Sequence, residues 1–459
     1  MIDLDLRHAS PDFKHYTELR LQENKETRLS LINGSLISNS RTAKSGLSAR
    51  TYINGSWGFA SSPVIDKRTL RAVLKEADFN AGYLNRKVKL GKPELPCCRK
   101  KAVDVPEAPK KPCSATELVA FMTGLDHLIS DSCPKLSSRS LRLYFISMEK
   151  KLITSCGSEL HSLLPRISLY VDLTMEHKGE PVSLYNVYGG YGFFEQHFTS
   201  PEALLPAVEK QYQSLEQKSR GIHPRAGVHT CILDAELGGI LAHEAVGHTV
   251  ESDLVRSGSV AADRWRQPVA SPIVSLADFA HTALGRPCPV PVHIDDEGMA
   301  ARDAMIIENG ILSSYLHDKE SAMDFNMPPT GNARAFEYSD EPLVRMRNTA
   351  ILPGKDRISD MIASIDDGYY LIRPGNGQAD ATGEFMFAVT MGYEIKKGAL
   401  GRALKDVTVS GVAFDFLKTV DMVSDELSWE CGGFCSKKQL MIVGMGGPAV
   451  RGLINVGGR

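Results

Sequence analysis

Polar and apolar residues alternate along most of the first sixty positions, the period of a half-buried β-strand. Tyr16-Thr17-Glu18-Leu19-Arg20-Leu21 opens the pattern, and Arg28-Leu29-Ser30-Leu31-Ile32 continues it up to Asn33-Gly34, a strong hairpin signal. A second strand pair is expected around Gly46–Ala60, where Asn54-Gly55 repeats that signal. The period then changes. Leu70, Val73, Leu74 and Ala77 recur at helical spacing and predict a helix over 67–81. Residues 88–113, rich in Lys and Pro, read as a loop. Ser114 with Glu117 three residues on predicts a capped helix over 114–130. Strands are expected over 141–148, 151–155, 166–176 and 183–189, and a long polar helix over 201–219.

Gly221-Ile222-His223-Pro224 breaks the pattern and marks the expected domain boundary. Beyond it, 227–233 is a short apolar strand. Glycine-punctuated strands then follow at 306–312, 384–393, 405–411 and 439–443. The predicted class is α+β: a mixed α/β N-terminal domain (1–222), then a mainly antiparallel, barrel-like C-terminal domain (223–459). At 459 residues, two domains suit the length.

Composition narrows the function class. A formal charge of -2 gives no basis for binding nucleic acid or an anionic membrane. No run of apolar residues is long enough to span a bilayer. Met1-Ile2-Asp3-Leu4-Asp5 lacks a basic leader, so a cytoplasmic protein is expected. Nine cysteines without a regular framework read mostly as reduced thiols. Cys97, Cys98 and Cys113 read as members of an exposed loop, because no closing Cys or His pair stands at zinc-finger spacing.

The chemistry concentrates in Gly239-Ile240-Leu241-Ala242-His243-Glu244-Ala245-Val246-Gly247-His248. Two imidazoles can hold zinc, and an adjacent carboxylate can take a proton from zinc-bound water. The usual H-E-x-x-H places its histidines four apart; here they are five apart. On a regular α-helix they would diverge by roughly 140°, so the helix must end or bulge between them. Gly247 is where a π-bulge or irregular turn costs least. A catalytic zinc wants a third protein ligand, and the candidates are Glu251, Asp253, His293, Cys431 and Cys435. Lys437 near Cys435 favours the thiolate. Chemistry alone does not choose between the two cysteines.

The segment Gly238–Asp253, followed in order by Ile294-Asp295-Asp296-Glu297-Gly298, Pro329–Arg334, Arg345-Met346-Arg347-Asn348-Thr349, Gly375–Asp380 with Gly383–Phe387, and Cys435-Ser436-Lys437, resembles the metal-binding, TldD-type branch of the TldD/PmbA peptidases. The resemblance implies zinc held by His243, His248 and Cys435, with Glu244 as general base in peptide cleavage. It also implies a dimer, usually with a metal-free PmbA/TldE-type paralogue. The cysteine segment departs from the family's Cys-Gly-Lys-x-Gly-Gln by one residue and both glycines.

The expected reaction is therefore metal-assisted amide hydrolysis of unfolded or modified peptides, with His317 or Arg334 as candidate oxyanion donors. Glycine-flanked strand edges would hold an extended substrate by main-chain hydrogen bonds. Two other readings use the same residues. One is an amidohydrolase for a small amide or thiol-conjugated metabolite; the other is a non-catalytic scaffold binding a peptide or partner.

Overall fold

The computed structural model describes residues 4–457, so the Met1-Ile2-Asp3 opening lies outside the described residues. The alternating N-terminal stretch folds as a long hairpin, β1 (Tyr16–Ile32) and β2 (Ser35–Ile53), turning at Asn33-Gly34. The second turn, Asn54-Gly55, leads to β3 (Ser56–Ser62). Both residues of each turn take positive φ, which keeps the twist of the two strands matched. Helix α1 (Lys67–Val88) is capped by Asp66 and runs further than its apolar spacing suggested. It buries Leu70, Val73, Leu74 and Ala77 against the hairpin.

The expected Lys/Pro-rich loop contains a short strand, β4 (Lys101–Asp104). It also contributes Cys97 to a disulfide with Cys156, which departs from the reduced reading for that pair; the other seven cysteines are free. Helix α2 (Ala115–Ser132) has the full capping box of Ser114 and Glu117. The two strands expected over 141–155 are one, β5 (Leu136–Thr154), paired with β6 (Glu159–His177) and through it with β7 (Glu180–Tyr191). The sheet runs β3-β2-β1-β5-β6-β4, with β7 also on β6. Helices α2 and α3 (Pro201–Ser219) pack on it through a core that includes Leu143, Leu169, Val171 and Leu215.

The second half holds β8 (Gly227–Leu233), the short helix α4 (Ala235–Ile240), β9 (Leu276–Phe279), β10 (Asn348–Ile351), β11 (Asp367–Ala379), β12 (Glu384–Lys396), β13 (Val407–Val412), β14 (Phe434–Cys435), β15 (Met441–Ile442), β16 (Gly444–Gly447) and β17 (Val450–Gly457). Five of them close a barrel in the order β11-β8-β17-β13-β12, and β11 pairs with β12 to complete the ring. Pairing is antiparallel except between β11 and β8. A separate sheet contains β9, β10 and β16 side by side. Among the described residues, no helix is long and apolar enough to cross a membrane.

Two groups of buried charges fix the parts that matter for the site. The carboxylate of Asp278 on β9 accepts from Arg347 N, Arg347 Nε, Asn348 N, Asn332 Nδ2 and Thr349 Oγ1, at 2.8–3.2 Å. Neither Asp278 nor Arg347 is exposed. The second group joins the N-terminal sheet to loops of the second half. Arg50 bonds Glu18 and Glu297, Lys150 bonds Asp296 at 2.7 Å, and Lys319 bonds Tyr16. Removing one partner from such a set strands a charge in a dry interior. Asp278→Ala is therefore expected to cost roughly 3–5 kcal/mol, read as a lowered midpoint in urea unfolding followed by circular dichroism.

Candidate metal centre

Asp234 caps α4 by accepting from Leu237 N. The helix can lie directly on β16 because a Cβ on Gly239 would meet the backbone of Gly446 at 2.8–2.9 Å. At Leu241 the bonding changes: Leu241–Gly247 continues as a π-helix and His248–Val250 as a single 3₁₀ turn. The N–H of His248 donates to the carbonyl of His243, an i→i+5 bond that stacks residues five apart. The two rings consequently face each other, with centroids 5.2 Å apart. The irregular turn expected from the spacing is present, but Gly247 serves it in another way than anticipated. Its φ of -57° is ordinary for any residue, whereas a Cβ there would collide with Met346 Sδ.

His243 is fully buried, and neither of its ring nitrogens has a hydrogen-bond partner. Leaving a buried polar group unpaired costs about 1–3 kcal/mol, so this ring is set up for a ligand the chain does not itself provide. His248 is oriented by Glu251, whose Oε2 lies 2.8 Å from Nδ1. Its Nε2 then points at Cys435 Sγ, 3.2 Å away. Donor atoms of His243, His248 and Cys435 all lie within 4.8 Å of one another, and this is the one such trio among the described residues. Two imidazoles and a sulfur, one of the rings otherwise orphaned, form a donor set that suits zinc.

Cys435 comes from β14, which pairs with β15. Two cations hold its loop. Arg345 donates to the carbonyls of Cys435, Lys437 and Gln439, at 3.0, 3.1 and 2.8 Å. Lys437 donates to Asp253, Glu251 and Val344 O. Burial pushes the Cys435 thiol up, but His243 and His248 outweigh it and bring it down to about 4. His248 moves the opposite way: burial lowers it, while Glu251 and Cys435 raise it further, leaving it well above the usual imidazole range. The carboxyl of Glu251, opposed by burial, is held down to about 2 by His248 and Lys437.

Glu244 is half-buried, with Oε2 3.5 Å from His248 Nε2, beside the nitrogen that faces the sulfur. The other ligand candidates stand elsewhere. Glu251 and Asp253 serve His248 and Lys437. Cys431 is a separate thiol that burial pushes up to about 11. His293 stacks on His281 and faces Asp104 at 3.6 Å. His317 lies between Ser321 Oγ and Met327 Sδ, and Arg334 donates to Met346 O. Sequence reasoning gave Arg345 no role and kept Glu251 only as one candidate third ligand, whereas it stands behind His248. An acid three residues after His248 was the available signal for a partner that orients the ring.

Residues 226–458 match the family model described as the PmbA/TldA metallopeptidase C-terminal domain, and 17–81 match that family's domain 1. The chain is 28% identical to the "Zinc metalloprotease TldD homolog" of Saccharolobus solfataricus, over 88% of each chain. It is 30% identical to a "Metalloprotease" of Archaeoglobus fulgidus, covering 96% of this chain and 99% of that one. The fold is similar to that of TldE from Thermococcus kodakarensis, with a TM-score of 0.77 and 16% identity over 99% of both chains.

The electrostatics around Cys435 make a specific prediction for chelator-treated protein. The thiolate is the form favoured above about 4, and it is lost as pH falls through that value. Burial instead raises Cys133, Cys231, Cys288 and Cys431, so these remain thiols at neutral pH. Thiolate ultraviolet absorbance should therefore be present at pH 7 and disappear on acidification. Cys435→Ser should remove that acid-side transition, and a transition unchanged by the substitution would contradict the assignment.

Proposed function

Because the chain belongs to the TldD/PmbA metallopeptidase family, we propose that it is a zinc-dependent peptidase acting on unfolded or modified peptides. The observation that carries this reading is His243, buried with both ring nitrogens unpartnered and grouped with His248 and Cys435. Those three residues would hold the ion. When bound, zinc supplies Lewis acidity, lowering the pKa of a water towards ~7 and polarising a carbonyl.

The protein's own groups do the rest. Glu244 takes the proton of the attacking water and returns it to the leaving amine. Glu251 keeps His248 in the tautomer that presents Nε2, and Lys437 balances the charge of Glu251. Arg334 donates to Met346 O and His317 lies between Ser321 and Met327, so neither is given the oxyanion in this reading. The working unit in this proposal is a dimer, either of two copies or with a metal-free paralogue.

Glu244→Gln should retain about one zinc per chain by elemental analysis while losing peptidase turnover by ~10²–10⁴-fold. Undiminished turnover would remove Glu244 from the role of base. His243→Ala should lose the metal, and wild-type protein purified without chelator yet free of zinc would favour the scaffold reading. Solution mass, measured with and without a candidate partner, reports the dimer.

A further inference from the structure

The Cys97–Cys156 bond is the one disulfide among the described residues, and it stands at the surface: Cys97 is exposed and Cys156 half-buried. It joins two segments 59 residues apart in sequence. One is the stretch between α1 and β4. The other is the tight turn between β5 and β6, where Gly157 takes a φ of +93°. A cavity of about 400 Å³ opens beside the bond, with both cysteines on its lining and Tyr16, Tyr52, Pro93 and Leu95 in its walls.

Hydrogen bonds hold the stretch at either end. Before the disulfide, Lys92 N–H donates to Asn54 O and Tyr52 Oη donates to Pro93 O, both at 3.1 Å. After it, Lys100 N–H donates to Ser158 Oγ at 3.2 Å, and β4 pairs with β6 from Lys101 onward. Between 93 and 100, Leu95 alone is buried. The turn is tied in its own right to the second half of the chain. Ser158 Oγ lies 2.8 Å from Cys98 O and 2.7 Å from Gly298 O, so one hydroxyl reaches both carbonyls. Gly298 follows Glu297, whose carboxylate bonds Arg50 in the buried charge group.

The surroundings favour exchange. An exposed disulfide is open to an attacking thiolate, and a sulfur leaves more readily beside a cation. Arg99 lies along the turn, with Nε 3.4 Å from Cys156 O. Lys14 and His15 line the cavity as well, against Glu94 as its single acid.

We propose that Cys97–Cys156 is a reversible thiol-exchange site for a small dithiol, and that the closed bond clamps residues 93–100 onto the turn bearing Ser158. One thiolate of the dithiol attacks the exposed Cys97 sulfur. The S–S bond breaks, and Cys156 leaves as a thiolate and takes a proton. The second sulfur of the dithiol then closes on the first, releasing Cys97 as the other thiol. Two electrons and two protons pass to the protein, and the dithiol departs as a cyclic disulfide. The site goes beyond the peptidase reading and needs neither the metal nor Glu244.

Dithiothreitol is the probe, applied to folded full-length protein carrying Cys98→Ser, which leaves a single cysteine on the peptide around residue 97. Alkylation with mass spectrometry should find the linkage in air-oxidised protein, its loss to dithiothreitol without urea, and its return with oxidised dithiothreitol. Hydrogen exchange over 93–100 and 155–159 should quicken at least roughly tenfold on reduction. The double variant Cys97→Ser with Cys156→Ser should exchange at the fast rate with or without dithiothreitol, which separates the bond from any action of the reagent on a metal. Absence of the linkage from air-oxidised folded protein, opening only in urea, or exchange indifferent to reduction would overturn the proposal.

Discussion

The architecture of the centre rests on one backbone hydrogen bond, from His248 N–H to His243 O. In an α-helix the same N–H would reach one residue less far back, and two histidines five apart would leave opposite sides of the rod. The π-turn is intrinsically poorer than an α-turn and survives only where packing insists on it. That packing is visible. Leu241, Ala242, Ala245 and Val246 are fully buried in the largest core of the second half, and Met346 closes over Gly247.

The sulfur is delivered by a chain of buried cations. Asp278 accepts from the backbone N–H groups of Arg347 and Asn348, the Arg347 side chain and the Thr349 hydroxyl, which fixes the segment from which Arg345 reaches the carbonyls around Cys435. Lys437 ties the same loop to Glu251, and Glu251 ties itself to His248. Cys435 and His248 are therefore tied to Asp278 through a run of hydrogen bonds and ion pairs that passes Asn332, Arg345, Lys437 and Glu251, whereas the His243 ring takes no part in it.

How much of this was legible follows from the range of each interaction. The two Asn-Gly turns, the Ser114–Glu117 capping box and the apolar face of α1 are written within a few residues, and the fold has each of them. Five-residue spacing alone required a departure from α-geometry in the motif. Barrel closure between β11 and β12, the parallel β8–β11 pair and the Cys97–Cys156 bridge depend on contacts far apart in sequence, which no local pattern encodes. Cys431 and Cys435 were chemically alike on paper. The resemblance singled out Cys435, and in the fold the β14–β15 pairing and the hold of Arg345 set it beside the histidines. Glu251 stayed one candidate among several because a carboxylate near a histidine can face a metal or stand behind the ring, and spacing does not distinguish the two.

The ionic seam between the N-terminal sheet and the second half carries a consequence for how the two can move. Arg50, Glu18, Glu297, Lys150 and Asp296 are almost entirely shielded, with side-chain exposures between 1% and 14%. Swinging the halves apart like a clamshell would pull these ions from their partners before water could fully replace them. The seam therefore resists hinge opening, and the N-terminal sheet and the loops carrying Asp296 and Glu297 are expected to move together as one body.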